Sequence, residues 1–141
     1  MAGEMNVRFA TVDDKEWCQK IDSHVSDDVY EFKTGHDEII VGELDGKKVG
    51  YLRLEYWYLT LPFLGLIVVE EEYRRRGVGG AMLAFLEKHL AASGHDCLYS
   101  SSDVNEAQPQ AWHRHMGFKD CGIISGMNEN GVGEVIFRKG L

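Results

Sequence analysis

The sequence predicts a mixed α/β domain in which helices flank a mostly antiparallel sheet, and three observations support this prediction. Apolar segments typical of strands occur before, between and after segments with helical spacing. Asp45-Gly46 and Asn130-Gly131 provide the tight turns that antiparallel hairpins need. At 141 residues the chain can form a proper hydrophobic core, so we expect one domain over residues 1–141.

The first part of the chain is predicted to form an edge strand, two short helices and a β-hairpin. Thr11 or Asp13 can cap the first helix. Asp45 and Gly46 suit the hairpin turn because both tolerate positive φ, and Tyr58 is expected on one face of the returning strand. The predicted segments are a strand at 6–10, the capped helix, a helix at 25–32 and hairpin strands at 39–44 and 49–59.

The second part is predicted to contain a buried strand, a long helix and a final strand–helix–hairpin segment. Pro62 fits the start of the buried strand because it cannot donate a ladder hydrogen bond farther in. Pro109 fits the first turn of the last helix, and Gly94 suits the left-handed position that ends the long helix. The predicted segments are strands at 64–69 and 97–101, a helix ending near 93, a helix running to about 115, and an antiparallel pair at 118–124 and 133–139.

The composition disfavours several classes of function. The net charge of −8 argues against general binding to nucleic acids or anionic membranes. No apolar run approaches the ~20 residues of a membrane span, and residues 1–9 lack a signal-peptide pattern. Cys18, Cys97 and Cys121 form neither a disulfide framework nor a metal spacing, so we expect a cytoplasmic protein with buried thiols.

The most informative stretch is a glycine-rich turn between the buried strand at 64–69 and the long helix. Glycine lets the backbone turn tightly, and the first N–H groups of a helix have no partner inside it. The helix dipole and three arginines add positive charge at the same place. A ligand that carries phosphate groups is therefore the expected occupant. The turn consists of Arg74, Arg75, Arg76, Gly77, Val78, Gly79 and Gly80.

Two common types of phosphate-binding loop fit this turn poorly. A nucleoside triphosphatase loop needs Lys-Ser/Thr after its last glycine, where this chain has Ala81-Met82. A dinucleotide site needs a third glycine at the position of Met82, although Asp103 lies at a tolerable distance for the acid that binds the ribose. The simplest alternative is a helix with a solvated basic turn and no ligand, but the preceding strand and the arginines favour a ligand.

The turn resembles a known family signature. Arg74-x-x-Gly77-x-Gly79, after a Val-rich strand and before an amphipathic helix, is similar to the acyl-CoA signature of the GNAT superfamily of N-acetyltransferases. A second block from Asn105 to Phe118 resembles the late Asn, helix and Gly-Phe ending of that family. The resemblance implies a GNAT-like domain whose central sheet splays at the acyl-CoA site.

The resemblance also implies how acetyl-CoA binds. The turn at residues 74–80 would hold the pyrophosphate through amides and charge. An extended arm can pair with a sheet edge like an added strand, and the family pattern assigns this pairing to the backbone of Ile67 and Val69. Asn105 would hydrogen-bond the same arm, unless it is a helix cap or a turn residue.

Proton transfer is the least defined part of the predicted site. Many family members carry a tyrosine acid five residues before the final Phe, and this chain has His113 there. A histidine of ordinary pKa, ~6.5, can donate a proton at neutral pH, although packing under the cofactor is an alternative role.

The positions of the family's catalytic glutamates hold Phe63 and Ser100. The base is thus unassigned, with Glu55, Asp103 or an ordered water as candidates. No third ligand accompanies the histidines of this helix, so no metal is expected.

The predicted function is acetyl transfer from acetyl-CoA to a primary amine by direct attack in a ternary complex. Between residues 11 and 45 the chain has eleven acidic residues and three lysines. This excess of negative charge favours a cationic small-molecule or peptide acceptor, although a solvated face of the protein explains it more simply. Glu55 and Asp103 are candidate acceptor-binding residues. The alternatives are a non-catalytic CoA-binding regulatory domain and a small nucleotide-binding module. A homodimer is compatible with the sequence.

Overall fold

Strands and helices alternate along the chain in the computed structural model, which describes residues 3–141. Met1 and Ala2, the first residues of the segment without a signal-peptide pattern, lie outside the described residues. The strands are β1 (Met5–Phe9), β2 (Ile39–Leu44), β3 (Lys47–Trp57), β4 (Leu61–Val69), β5 (Cys97–Asp103), β6 (Lys119–Ile124) and β7 (Glu134–Gly140). The helices are α1 (Lys15–Ile21), α2 (Asp27–Gly35), α3 (Val78–Ala92) and α4 (Ala107–His115).

The strands pair in the order β1-β2-β3-β4-β5-β7-β6. The pairs β1–β2, β2–β3, β5–β7 and β6–β7 are antiparallel, whereas β4 and β5 are parallel. This mixed, mostly antiparallel sheet confirms the predicted fold class. In the parallel pair, Phe63 lies opposite Tyr99 and Leu64 opposite Ser100, and the ladder ends there although both strands continue. We call this end of the ladder, at Leu64 and Ser100, the fork.

The chain separates into two compact units. The first comprises the described residues up to Leu54 together with Leu66–Lys88, and the second comprises Glu55–Gly65 and His89–Leu141. Each unit has its own buried apolar residues. Within residues 3–141, no helix combines the length and the apolar character that crossing a membrane requires.

The core of the first unit is built by β2, β3 and the helices before them. Tyr30, Val41 and Tyr51 are almost completely buried in one apolar cluster, to which α1 contributes Cys18. Burial of an apolar side chain of this size stabilises a fold by about 1.5–3 kcal/mol. Phe9 of β1 meets Phe85 of α3 edge to face, with ring centroids 5.0 Å apart. This contact attaches α3 to the first strand.

Two glycines let α3 approach the strands of the first unit closely. Gly42 of β2 and Gly50 of β3 lie opposite each other in the ladder. A Cβ atom on Gly50 would lie 2.8 Å from Cγ1 of Val78, and one on Gly42 would lie 3.0 Å from the same atom. The first distance is shorter than packing allows and the second is at the edge of the allowed range, so a side chain at either position would force the Val78 side chain to shift.

The second unit packs α4 against β5 and β7. The rings of Phe118 and Phe137, both almost completely buried, contact the imidazole of His113. The chain leaves α4 through Gly117, whose φ of 96° lies in the left-handed region. The N–H of Phe118 then returns to the carbonyl of His113 at 3.0 Å. This helix ending holds His113 and Phe118 in contact.

Most of the predicted elements are confirmed. Strand β2 has the predicted bounds, and Asp45 and Gly46 both have positive φ, 51° and 79°, as the hairpin turn requires. Gly94 ends the long helix with φ of 91°. The last two strands pair with each other as predicted.

Three local predictions are wrong. The second helix begins at Asp27 rather than at residue 25, because the Ser26 side chain caps it. Tyr58 does not lie on a strand face, since it forms the turn between β3 and β4 together with Leu59, with φ of 52° and 64°. The Cys121 thiol is exposed because β6 is the outermost strand of the sheet.

Candidate functional site

The glycine-rich turn forms the N-terminal end of α3. Gly77, with φ of 84°, precedes the helix. The first helical hydrogen bond runs from the N–H of Ala81 to the carbonyl of Gly77 at 3.0 Å. The N–H groups of Val78, Gly79 and Gly80 therefore have no acceptor within the helix. They lie at the end of α3 where the helix dipole is positive.

The three arginines of the turn are exposed beside these N–H groups. Arg74 donates from Nε to the carbonyl of Val69 at 3.0 Å, which ties the turn to the end of β4. Arg75 has φ of 64°, and the guanidinium of Arg76 lies 5.5 Å from the ring centroid of Tyr73. Free N–H groups and cationic side chains in one turn are the donor set that suits a pyrophosphate.

The residues predicted to bind an extended arm, Ile67 and Val69, lie in β4 beyond its last ladder pair with β5. The ladder between β4 and β5 ends at Leu64, and the splay of the sheet that the family resemblance implied stays a prediction. The Val69 carbonyl already accepts a hydrogen bond from Arg74. A ligand at this carbonyl would therefore share it with the guanidinium, which a carbonyl with two lone pairs permits.

His113 and Ser100 form a buried hydrogen-bonded pair in the second unit. Nε2 of His113 lies 2.7 Å from Oγ of Ser100, and Nδ1 lies 2.7 Å from the carbonyl oxygen of Pro109. A carbonyl only accepts, so Nδ1 carries a hydrogen. Burial lowers the pKa of His113 below its ordinary value. The imidazole is therefore neutral near pH ~7, and Nε2 accepts the hydrogen of the Ser100 hydroxyl.

The hydrogen-bond partners of Nε2 allow a proton to pass between the imidazole and the Ser100 hydroxyl. A protonated Nε2 would donate to Oγ of Ser100, whose hydrogen can turn to the carbonyl of Leu64, 3.2 Å away. Burial opposes this protonated form of His113, whereas the Pro109 carbonyl and the carboxylate of Glu134 raise the pKa. The acid role that the sequence suggested for His113 stays a prediction.

The turn after β5 brings Asp103 and Asn105 together. The N–H of Asn105 donates to Oδ1 of Asp103 at 2.7 Å, so Asn105 is a turn residue, and its side chain is exposed. Asp103 lies opposite Glu134 in the ladder with β7, and Oε2 of Glu134 accepts a hydrogen bond from Ser101 at 2.7 Å. Two carboxylate side chains therefore lie side by side on one face of the sheet.

Glu55, the other residue predicted to bind the acceptor, lies half-buried on β3. In the strand order, β4 separates its strand from the strand of Asp103. Trp57, on the same face of β3 as Glu55, stacks on Phe63 with ring centroids 4.7 Å apart and lies 6.4 Å from Tyr99. An aromatic row thus crosses the three strands β3, β4 and β5.

Two acids of the acidic stretch at 11–45 serve the structure of the first unit. Asp22 is 1% exposed and accepts hydrogen bonds from the Tyr51 hydroxyl at 2.7 Å and from Nε of Arg53 at 2.6 Å. Asp14 is also buried, and its hydrogen bonds with the Arg8 guanidinium hold the pKa of this carboxyl far below its usual range. These two carboxylates are neutralised inside the unit, so they do not contribute to an exposed acidic wall.

Sequence reasoning missed two residues of the second unit: Ser100 as the partner of His113, and Glu134 beside Asp103. The available signal was the run Ser100-Ser101-Ser102, which puts three hydroxyl groups into a strand that has apolar residues at its start. Among residues 3–141, no three side chains of the metal-binding types lie close enough to hold an ion together.

Comparisons with known proteins agree with this architecture. The model of the acetyltransferase (GNAT) family matches residues 8–118. A GNAT-family acetyltransferase from Bacillus cereus is 24% identical, with 98% of each chain covered and a TM-score of 0.79. The ribosomal-protein-S18-alanine N-acetyltransferase from Escherichia coli is 18% identical, with 97% of this chain and 94% of that chain covered and a TM-score of 0.79. A GNAT-family acetyltransferase from Elizabethkingia anophelis with acetyl-CoA bound is 14% identical, with 97% of this chain and 98% of that chain covered and a TM-score of 0.76. No curated protein matches the sequence.

Proposed function

Because this chain belongs to the acetyltransferase (GNAT) family, we propose that it transfers the acetyl group of acetyl-CoA to a primary amine. The observation that carries the proposal is the N-terminal end of α3. Free N–H groups of its first turn and exposed arginines form one anion-binding surface there. The family uses acetyl-CoA, and the pyrophosphate of that molecule matches the charge and the hydrogen-bonding needs of this surface.

In this proposal the turn at residues 74–80 holds the pyrophosphate, and the rest of the cofactor follows β4. Backbone groups of Ile67 and Val69 pair with the pantetheine arm as an added strand would. The exposed amide of Asn105 supplies a further hydrogen bond to the arm. The end of the β4–β5 ladder at the fork supports this path, because an added strand needs backbone groups that are not already paired.

The chemistry requires an oriented carbonyl and a group that accepts the proton of the amine. Acetyl-CoA supplies a thioester, and the N–H of Val69 is our candidate for polarising its carbonyl oxygen. After the amine attacks, its nitrogen must lose a proton. We assign this proton to the pair at the fork: Oγ of Ser100 takes it while the Ser100 hydroxyl hydrogen moves to Nε2 of His113. Thiolate departure needs no strong acid, because the thiol has a pKa of ~8.5.

We propose that the acceptor is a cationic amine of a small molecule or a peptide. Asp103 and Glu134, side by side at the end of β5 and the start of β7, support this proposal because both present carboxylates on the same sheet face. Glu55, farther along the sheet on β3, is a second acidic contact. The aromatic row of Trp57, Phe63 and Tyr99 on that face can hold the apolar part of such an acceptor.

A non-catalytic CoA-binding domain of the same family is the second candidate, and one observation favours it. Ser100 and His113 satisfy each other, and both side chains are almost completely buried. A group that is closed to solvent must become accessible before it can exchange a proton with a substrate. In this second function the anion-binding end of α3 would bind coenzyme A, and the pair at the fork would only join α4 to β5.

Release of free thiol from acetyl-CoA, measured with a panel of cationic, neutral and anionic amines, separates the two candidates. The acetyltransferase predicts turnover that is fastest with cationic amines. Binding of acetyl-CoA without turnover across the panel would favour the regulatory domain. If calorimetry detected no binding of acetyl-CoA and no thiol were released with any amine, both functions would be contradicted.

A cytoplasmic location is part of the proposal. The cysteines of the chain are free thiols, and Cys18 and Cys97 are buried. Free thiols persist in a reducing compartment. Recovery of the native protein from the cytoplasmic fraction of its source cells, rather than from a secreted or membrane fraction, is the expected observation.

A further inference from the structure

Ser100 and His113 have the geometry of a serine nucleophile beside a general base. Oγ of Ser100 lies 2.7 Å from Nε2 of His113, within the range at which a base takes the hydrogen of a hydroxyl group. Nδ1 of the same imidazole lies 2.7 Å from the carbonyl oxygen of Pro109, which fixes the ring and its tautomer. The second unit thus brings together a nucleophile, a base and a group that orients the base.

The imidazole is held in the form that can accept the hydroxyl hydrogen. Its ring stacks on Phe137, with centroids 4.6 Å apart, and meets Phe118 edge to face at 5.2 Å. Burial lowers the pKa of His113, so the ring is neutral near pH ~7 and Nε2 has a free lone pair. The Pro109 carbonyl stabilises an imidazolium less than the carboxylate of a Ser-His-Asp triad does. An attack by Oγ should therefore be slower than in a serine hydrolase.

Ser100 also lies at the fork. It is the last residue of β5 that pairs with β4, opposite Leu64. In the proposed function the thioester of acetyl-CoA reaches this end of the ladder. Ser100 is completely buried in the ligand-free fold, so a thioester has to displace atoms that cover Oγ, among them the Leu64 carbonyl at 3.2 Å. The same burial would keep bulk water away from an ester formed on Oγ.

We propose that Ser100 accepts the acetyl group of acetyl-CoA when no amine is bound, and that the resulting O-acetylserine is then hydrolysed; this inference rests on the proposed function. Oγ attacks the carbonyl carbon of the thioester, and the hydroxyl hydrogen moves to Nε2 of His113. The C–S bond then breaks, and Nε2 gives the proton to the departing sulfur. Free coenzyme A leaves, and the acetyl group remains on Oγ as an ester.

Water completes this further activity in a second, slower step. A water molecule attacks the carbonyl carbon of the ester and gives a proton to Nε2 of His113. The bond between Oγ and the acetyl carbon breaks, Oγ takes the proton from Nε2, and acetic acid leaves. The sum of the two steps is the hydrolysis of acetyl-CoA to acetic acid and coenzyme A. Because the site is buried, the ester should accumulate before it is hydrolysed.

The test incubates the full chain with acetyl-CoA in a buffer without amines and stops the reaction with acid. Peptide mapping by mass spectrometry should find an acetyl group on Ser100. Hydroxylamine should remove this group, since it cleaves esters but leaves the amides of acetylated lysines intact. Thiol release should show a stoichiometric burst followed by slow turnover.

Three variants identify the groups that produce the burst. Ser100→Ala should abolish it, and His113→Phe should slow it by roughly 100-fold, because a positioned base contributes about that much. Ser102→Ala is the matched control and should leave the burst unchanged. It removes another buried hydroxyl of β5, whose Oγ has no hydrogen-bond partner within residues 3–141. Calorimetry and thermal unfolding of each variant show whether a lost burst reflects lost binding of acetyl-CoA or lost folding.

The wild-type protein alone can overturn the inference. If no ester forms on Ser100 at acetyl-CoA concentrations that saturate the protein in calorimetry, the inference is wrong. Thiol release without amine and without an ester on Ser100 would mean that water attacks the thioester directly, and this result also overturns it. Either result leaves the proposed function intact if amines are still acetylated. If calorimetry detects no binding of acetyl-CoA, the proposed function fails and the inference fails with it.

Discussion

The hydroxyl of Ser100 on β5 bonds Nε2 of His113 on α4 at 2.7 Å, and this contact joins helix and strand where the β4–β5 ladder ends. The imidazole also stacks on Phe137, with ring centroids 4.6 Å apart and planes 6° from parallel. The pair therefore belongs both to the core of the second unit and to the proton transfer that we propose. The stability and the rate therefore have to be measured separately for each substitution of Ser100 or His113.

Folding stability should fall as the pH drops from about 7 to about 5, and His113 should cause part of the fall. Burial lowers the pKa of His113 in the folded chain, so the unfolded chain, with a pKa of ~6.5, binds the proton more tightly. The stabilisation is complete above ~6.5 and is lost as the pH falls through the lower folded pKa. Urea unfolding of wild type and His113→Phe at several pH values measures this contribution of His113 to the free energy of unfolding. If the free energy of unfolding changed equally with pH in the two proteins between about pH 7 and about pH 5, the prediction would be contradicted.

The maximal rate of acetylation should fall by roughly 100-fold or more in His113→Phe, because a positioned base contributes about that much. In the wild type the rate should also fall as the pH drops below the lowered pKa of His113, when Nε2 is already protonated. The measurement is steady-state thiol release across pH, with acetyl-CoA affinity as the control. A variant with the wild-type rate and pH profile would remove His113 from the mechanism.

Gly79→Asp should weaken acetyl-CoA binding strongly while slightly stabilising the protein. The new carboxylate would lie in the first turn of α3, where it repels a pyrophosphate but interacts favourably with the helix dipole, by about 0.3–1 kcal/mol. Ala84→Asp adds the same charge to the exposed face of α3 and should leave the affinity nearly unchanged. Calorimetry measures the affinity for acetyl-CoA, and thermal unfolding measures the stability of each variant. An unaltered affinity in Gly79→Asp would show that the phosphates bind elsewhere.

Asp22→Asn should destabilise the protein by about 3–5 kcal/mol, because it leaves the Arg53 guanidinium without the carboxylate that it contacts at 2.6 Å. Glu31→Gln, which changes an exposed acid of the same stretch beyond the first turn of α2, should change the free energy of unfolding by less than about 0.5 kcal/mol. Urea titrations of both variants provide the comparison. Similar small effects in the two variants would mean that the buried pair contributes little.

Replacing Tyr58-Leu59 with Asn-Gly should stabilise the protein by roughly 1–2 kcal/mol. Both residues have positive φ in the turn between β3 and β4, and their side chains are 87% and 92% exposed. Asn and Gly adopt this conformation with less strain, and little packing is lost. A higher midpoint in thermal unfolding is the expected result. A lower midpoint would indicate that Tyr58 or Leu59 makes stabilising contacts although both residues are exposed.

Local signals were enough to predict most elements of this fold. The Asp45-Gly46 turn and the glycine that ends α3 are encoded by residues that tolerate positive φ, so each can be recognised without knowledge of the rest of the chain. Tyr58 and Leu59 escaped prediction for the same reason, because neither residue type normally occupies such a conformation. The turn at residues 74–80 was recognisable because its glycines, its arginines and the helix after it are contiguous.

The contacts of the candidate site could not be predicted, because they join residues that are distant in sequence. The hydrogen bond between Ser100 and His113 depends on how α4 packs on β5, and the lowered pKa of His113 depends on the burial that follows. The pairing of Asp103 with Glu134 depends on which strand neighbours β5 in the sheet. Strand order is a property of the whole chain, and a single sequence does not state it.

The paired glycines of β2 and β3 support the end of α3 from outside the proposed anion-binding surface. Gly42 and Gly50 form a notch into which Val78, the first residue of α3, fits. The notch positions Val78 in the ligand-free fold, so a ligand that binds the end of α3 as we propose would have little ordering left to impose. A methyl group added at Gly50 would press on the side chains of Val78 and Met82, and a shift of the end of α3 that relieved this contact would weaken the proposed binding of coenzyme A without changing any residue of the proposed site.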